Sequence, residues 1–538
     1  MRKGMRFLLI VLLSLTFGTG LIGEVGAALS LLDGDLVISG YILNETGIRL
    51  KDRVWHDSLY SSMGISVENA KQEQGDLSRC RTTLQLESEW SITSDFILKG
   101  ILRGYYDAKY SINDSFTITN SASDLKALPR GERLQADIDL REYYFLYSLG
   151  DFTFKVGRQQ VVWGESDGLR ISDVVNAIDF SRDFTTGGWE DVRIPERLID
   201  ITYVVPESVH DFKIEAVVSP EDYHANTFAP YGDNFYGMPF DSSWIGTYDF
   251  LSGLGLPPAL LAGVTEKSFG DALNDAISDA LPDRHDFKDG FAGGVRLRGV
   301  FGPWDIHVYN YYQRMQTPVF TSSNNFSFIL PFPWDVYDEN LGIKVHYPHI
   351  NTLGATFNVF SDYAKTIFRG ECGYIFDEPF TALDPALGGF FANDYVEKDS
   401  FIYMLGFDRP TWITFLNPIK TFFISGQFIH KIVINYDDDS DMPLATVMGK
   451  KGSSDHRTML TLLMNTTYWD DKIKPENLVV WDVNGHSGYV KPLIAYEPTY
   501  NWRFEAGLLY FWGDSYGAGV FGQVKDSDEV YVKIKFSY

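Results

Sequence analysis

The chain has 538 residues, with 72 Asp and Glu against 46 Lys and Arg, a net charge of −26, and only two cysteines. Its 45% hydrophobic and 15% aromatic content excludes disorder, two cysteines exclude a disulfide-built scaffold, and acidity without a basic block excludes a nucleic-acid binder. A mean hydropathy of −0.13 with a single long apolar run excludes a bundle of membrane helices, which leaves a large all-β protein of some kind.

The apolar run lies at the start. Arg2, Lys3 and Arg6 precede Phe7 to Leu13, and Gly26-Ala27-Ala28 follows. A basic segment, a short apolar core and a small-residue site read as a secretory signal peptide, residues 1–28. The core is shorter than the ~20 apolar residues a spanning helix needs. Cleavage after Ala28 would remove three basic residues and Glu24, taking the net charge from −26 to −28. The expected organisation is therefore a signal peptide followed by one unit, residues 29–538.

Downstream, strands announce themselves by alternation. Leu84, Leu86 and Trp90 alternate with Gln85, Glu87 and Glu89, and Leu98, Gly100, Leu102 and Gly104 with Lys99, Ile101, Arg103 and Tyr105. Near the end, Trp502, Phe504, Ala506, Leu508, Tyr510 and Trp512 alternate with Arg503, Glu505 and Gly507. Last, Val530, Val532, Ile534, Phe536 and Tyr538 alternate with Tyr531, Lys533, Lys535 and Ser537. Charges of both signs share one face while aromatics sit at strand ends on the other. That matches a wet lumen and a lipid-facing aromatic girdle better than a soluble sandwich.

Connection lengths give an independent criterion. Residues 50–78, 109–137, 164–194 and 220–287 read as long loops, and 91–95, 149–151, 206–210 and 302–303 as short turns. Strict alternation of long external loops with short periplasmic turns is a property of outer-membrane barrels. The expected fold is thus all-β: a transmembrane antiparallel up-and-down β-barrel of about 18 strands, with 16 the rival because 339–361 and 476–498 are ambiguous. Within the longest loop, Phe269, Leu273, Ile277 and Leu281 fall at i, i+4, i+8 and i+12. The spacing predicts a short amphipathic helix in an insert, residues 254–283. It either packs on the loop surface or folds into the mouth as a plug.

The sharpest local motif runs from Lys155 through Gly157, Arg158, Trp163, Gly164, Glu165 and Arg170 to Asn176. Continued alternation would put Arg158 and Gln160 in lipid, where a charge costs about 2–4 kcal/mol at mid-membrane. Either a bulge near Gly157 re-aims the strand or this part stands above the hydrocarbon. Both readings bring Arg158, Glu165 and Arg170 together at the mouth or in the lumen, as a structural network or as a constriction that sorts solutes. Lys99, Arg103, Glu87, Glu89, Arg503 and Glu505 are the further lumen candidates.

The Gly157 to Asn176 run, Arg369-Gly370-Glu371, and Arg409-Pro410-Thr411-Trp412 before Phe422 to Gln427 resemble a family of large proteobacterial outer-membrane proteins. It is known as the domain of unknown function 1302 and taken to be porin-like. The resemblance implies a barrel, with some members tied to export of envelope lipid or hydrophobic compounds beside a periplasmic partner.

Other motifs point to no chemistry. Gly164-Glu165-Ser166-Asp167-Gly168 matches a G-x-S-x-G nucleophile elbow, but no strand-turn-helix units surround it, so a glycine-flanked turn is the expected reading. No H-E-x-x-H or C-x-x-C-H occurs, so no metal, haem or other cofactor is expected. His430 and His456 read as girdle or lumen residues, Cys80 and Cys372 as free thiols, and Asp437 to Asp439 with Asp441 as a solvated acidic loop.

The functional expectation is a non-enzymatic outer-membrane porin passing a small organic or amphiphilic solute. The alternative is a non-conducting partner of a lipid or hydrophobic-compound export system. Expected partners are outer-membrane lipid, the barrel assembly machinery through Val530 to Tyr538, and, in the second reading, a periplasmic carrier.

Overall fold

A computed structural model describes residues 29–54, 71–112, 135–166, 170–181, 185, 188–220, 223–227, 290–322, 343–384, 390–391, 394–436, 455–513 and 521–538. The signal peptide, the 254–283 insert and the Asp437–Asp441 cluster lie outside the described residues. Eighteen strands form the wall: β1 (Leu36–Arg49), β2 (Leu77–Thr93), β3 (Phe96–Asp107), β4 (Ala136–Leu149), β5 (Phe152–Gln159), β6 (Glu196–Val204), β7 (Lys213–Ser219), β8 (Ala292–Phe301) and β9 (Trp304–Arg314) make the first half. The second half is β10 (His349–Ser361), β11 (Thr366–Phe380), β12 (Val396–Thr411), β13 (Phe422–Val433), β14 (His456–Asn465), β15 (Ile473–Asp482), β16 (Ser487–Tyr496), β17 (Trp502–Trp512) and β18 (Glu529–Ser537).

Each strand pairs antiparallel with its sequence neighbours, and β18 closes on β1 from Ser537 opposite Tyr41 to Glu529 opposite Arg49. Closure leaves no open edge, which a sheet in hydrocarbon cannot tolerate. Below the last residue of β18, the edge of β1 is covered by Leu29–Leu31, which doubles back onto Leu36–Ile38. The expected 18 strands are present.

The two ambiguous regions resolve differently. Ile343–His346 pairs with Val319–Ser322 in a separate two-stranded extension of the β9–β10 loop. Residues 476–498 form β15 and β16, joined by only Val483 to His486. That four-residue connection on the long-loop side is why loop length alone left the count open.

Faces follow the alternation. On β9, Trp304, Val308 and Tyr312 are exposed on the outer wall while His307, Tyr309, Tyr311 and Gln313 are buried inside. On β18, Val530 faces out and Tyr531 is buried within. Lys533 pairs with Glu45 at 3.0 Å, and Lys535 lies 4.1 Å over the Tyr41 ring. Glu45, itself buried, also takes Arg81 at 2.8 Å, so one carboxylate on β1 holds a cation from β2 and one from β18 across the closing seam.

Aromatic rings belt the short-turn end. Phe145, Phe96, Tyr147, Phe154, Phe152 and Tyr203 follow one another in ring contact, at centroid distances from 4.6 to 6.4 Å. A second run joins Trp469, Tyr496, Phe504, Trp502, Phe536 and Tyr538. Such rings sit at the membrane–water boundary, apolar body in lipid and polar edge in water. At the opposite rim His430 stacks on Phe428 and lies 3.1 Å from His456. Cys80 and Cys372 are free.

If the outer face meets lipid, Val308→Arg should destabilise the barrel by about 2–4 kcal/mol. Urea unfolding in phospholipid vesicles measures this; unchanged stability would mean that the face of β9 carrying Val308 is not in hydrocarbon.

Candidate functional site

The barrel interior is organised by the connection between β5 and β6, whose described residues within 160–195 fold inward. Gly157 prepares the entry. Its φ of +136° is open to glycine, and a Cβ there would meet the Tyr143 carbonyl oxygen at 2.2 Å. No bulge interrupts β5, which pairs residue for residue with β4 through Arg158 and with β6 through Gln159. The bulge lies in the neighbouring strand. Between Leu140 and Glu142, Arg141 is an extra residue opposite β3, so Arg141 and Glu142 both reach the inward segment. Arg141 Nη2 donates to the carbonyls of Glu190, Asp191 and Arg193 at 2.9, 3.0 and 2.6 Å. Glu142 accepts from Gln160 at 3.0 Å.

Asn176 ties the segment to itself. Its carbonyl oxygen accepts from the Val161 N–H at 2.8 Å, and its amide donates to the carbonyls of Gln159 and Ile194 at 3.3 and 3.0 Å. Asp173 accepts from Arg170 at 3.1 Å and Arg193 at 2.7 Å. Burial pulls the Arg170 guanidinium below its ordinary range, against the opposing pull of Asp173. Gly164 permits the crossing, since a Cβ there would lie 2.8 Å from the Asp173 nitrogen.

The segment then touches the wall in turn. Trp163, buried, donates to Glu215 on β7 at 3.1 Å and packs on Tyr309 and Tyr311 of β9 at 5.6 and 5.4 Å. Arg296 of β8 stacks on its ring and pairs with Glu215 at 2.5 Å. On β11, Glu371 accepts the N–H groups of Glu165 and Ser172, and Arg369 donates to the Glu165 carbonyl at 2.6 Å. Ser166, centre of the G-x-S-x-G match, reaches Gln427 on β13 at 3.4 Å. Ile171 enters an apolar cluster with Met404, Ile429, Met459, Val480, Leu509 and Phe511, contributed by β12 to β15 and β17. Lys491 on β16 donates to the Thr185 carbonyl at 2.8 Å. A one-turn helix, Trp189–Val192, brings Asp191 back to Arg103 of β3 at 2.7 Å.

The nine residues singled out from sequence therefore fall into separate groups. Arg103 meets the segment directly. Arg158 is held by Asp139 at 2.6 Å and by the carbonyls of Leu140 and Pro195. Arg170 belongs to the Asp173 network, and Glu165 is held through its peptide groups. Lys99 pairs with Glu89 at 2.6 Å, and Glu87 takes Gln85 at 2.6 Å. Arg503 pairs with Glu505 at 3.0 Å and with Glu497, in the turn just before β17, at 2.6 Å, toward the short-turn mouth. Sequence reasoning did not single out Trp163, Asp173, Asn176, Arg141, Asp191 or Glu371. Trp163, Asp173, Asn176 and Glu371 do stand in the motif runs, but nothing in their spacing reveals their partners.

The sequence profile described as "Protein of unknown function (DUF1302)" matches residues 38–538. The chain belongs to the DUF1302 family. No curated protein matches it. Among solved structures, this DUF1302 chain is similar to OccAB3 of Acinetobacter baumannii, at 9% identity and a TM-score of 0.46 over 94% of this chain and 99% of that one. OpdK of Pseudomonas aeruginosa, solved with vanillate, matches at 8% identity and 0.44 over 94% and 98%. OmpF of Salmonella typhi, in complex with daunomycin, matches at 8% and 0.37 over 94% and 97%. The barrel assignment itself stands on the strand register. A closed antiparallel barrel with an apolar outer wall is the architecture of an outer-membrane protein.

Replacing Asn176 by Ala leaves three buried backbone groups without their partner, at about 1–3 kcal/mol each. The segment should then open to added trypsin at Arg170 and Arg193 in vesicle-embedded protein while the barrel stays folded. Resistance equal to that of the parent would mean that Asn176 does not hold the segment.

Proposed function

We propose that the protein is an outer-membrane channel for passive passage of a small organic or amphiphilic solute through a charged lumen, narrowed by residues 160–195. One observation carries this reading: the segment is fastened inside the barrel to strands from β3 round to β17 instead of lying outside the mouth. A polar connection placed there narrows a pore without closing the wall, and its groups select by charge and size. Its flanks are charged in both signs. Arg103 and Arg141 stand on β3 and β4 beside Asp191 and Glu142, whereas Arg158 shares the outer face of β5 with Val156, opposite Tyr143. Below them, half-exposed Lys99, Glu89, Arg503 and Arg298 line the short-turn half of the lumen.

The mechanism asks nothing covalent of the chain. A solute entering from outside exchanges water for the paired charges beside the segment, then enters the wider charged part below and diffuses down its gradient. Mixed-sign pairs suit this role, because each bond a solute makes replaces one the wall already makes, and none holds it tightly.

The apolar cluster around Ile171 favours a second reading. It fills the interior beside β12 to β17, as suits a non-conducting barrel that serves a lipid or hydrophobic-compound export system with a periplasmic carrier.

Planar-bilayer recording separates the two. The channel reading expects ohmic steps, and a variant with residues 161–193 replaced by a short Gly-Ser linker should conduct several-fold more. A folded barrel that is silent in both forms would overturn it in favour of the export partner. In the parent, Arg103→Glu should move the reversal potential in a KCl gradient toward cation selectivity, because it replaces a positive charge beside the narrowing by a negative one. An unmoved potential would remove Arg103 from the ion path.

A further inference from the structure

The turn between β12 and β13, residues 412–421, has ten residues where the other turns at this end have two to eight. It is built inside out. Its polar centre is Asn417, only 1% exposed. The Asn417 side-chain oxygen accepts the N–H groups of Ile419 and Lys420 at 3.1 and 3.0 Å. The amide donates to Thr466 Oγ1 and the Thr467 carbonyl, in the next turn along the rim, at 3.1 and 2.9 Å. Tyr468 donates to the Leu416 carbonyl at 3.2 Å, Thr466 to the Thr421 carbonyl at 2.9 Å, and Lys420 pairs with Asp471 at 3.0 Å.

With the polar atoms turned inward, the large apolar side chains are left outside. Phe415 is 85% exposed and Ile419 77%, with Trp412 and Leu416 exposed beside them. A mobile water-facing turn is ordinarily Gly-, Asn- and Asp-rich; this one is cross-braced and presents four apolar groups.

We propose that residues 412–421 form a membrane foot, with Trp412, Phe415, Leu416 and Ile419 inserted into the phospholipid leaflet at the short-turn side. Continuity with the lipid-facing belt identifies the occupant. The foot is bonded to the 466–472 turn, whose exposed Trp469 stacks 6.4 Å from Tyr496 on the outer wall. From Tyr496 the aromatic belt runs on through Phe504, Trp502 and Phe536 to Tyr538. The foot prolongs that belt, and Lys420 beside it suits the phosphate level of the headgroups. Burying these side chains in lipid removes apolar area from water that no other part of the described chain covers.

The test is a nitroxide label placed by Phe415→Cys, and separately by Ile419→Cys, in a C80S/C372S background. The barrel is reconstituted in vesicles of phosphatidylethanolamine and phosphatidylglycerol. Collision with oxygen, enriched in lipid, should exceed collision with a water-soluble nickel chelate at both positions. A label at Tyr363→Cys, fully exposed in the four-residue turn after β10, should show the reverse. Far-UV circular dichroism and heat-modifiable gel migration confirm that each labelled barrel is folded, and the two foot positions serve as alternates if one impairs insertion. Nickel-dominated collision at 415 and 419, as at 363, would overturn the foot and leave these side chains as a surface for a periplasmic protein.

Discussion

A peptide N–H or C=O left without a partner in hydrocarbon costs several kcal/mol, and no water is present to supply one. The pairing of β18 with β1 answers that constraint for the whole wall. Closure fixes the strand number as even for a chain whose two ends lie on one side, and it turns period-2 alternation into an inner and an outer surface. The seam is reinforced where chain ends would otherwise fray. Glu45 draws Arg81 and Lys533 together from three strands, and the Gly40 and Tyr538 backbone groups exchange hydrogen bonds at 3.1 and 3.0 Å.

The interior obeys a different rule from the wall. Eighteen strands enclose more space than their inward side chains fill, and here a connection fills part of it. That connection must satisfy its own backbone groups inside the barrel, and it does so through side chains: Asn176, Glu371 and Arg141 take up its N–H and C=O groups one after another. Ion pairs such as Arg193 with Asp173 lock its two arms together. On one side its attachment is polar and charged, and around Ile171 it is apolar.

Much of the wall was legible beforehand. The alternation at Leu84 to Trp90, Trp502 to Trp512 and Val530 to Tyr538 reads directly as strands with two unlike faces, because side-chain direction in a strand depends on local backbone geometry alone. Most turn positions were legible for the same reason. Where the rule failed, between β15 and β16, the connection on the external side shrinks to Val483–His486, so length no longer marks sidedness. The charge of Arg158 suggests either a bulge near Gly157 or a position above the hydrocarbon; β5 holds its register through Gln159, and the register shift falls one strand away at Arg141. A bulge is a relation between two paired strands, and the local pattern of one strand does not show the register of its partner.

By itself, the sequence determined the barrel, its approximate size, the sidedness of its surfaces and membership in its family, because each depends on patterns within about a dozen neighbouring residues. The tertiary structure decided what meets in the lumen. Glu165 and Glu371 stand 206 residues apart, as close in space as a backbone hydrogen bond, and nothing in either neighbourhood specifies the other. The wall follows from local periodicity; the narrowing follows from a chain segment finding partners on strands that only closure brings into reach.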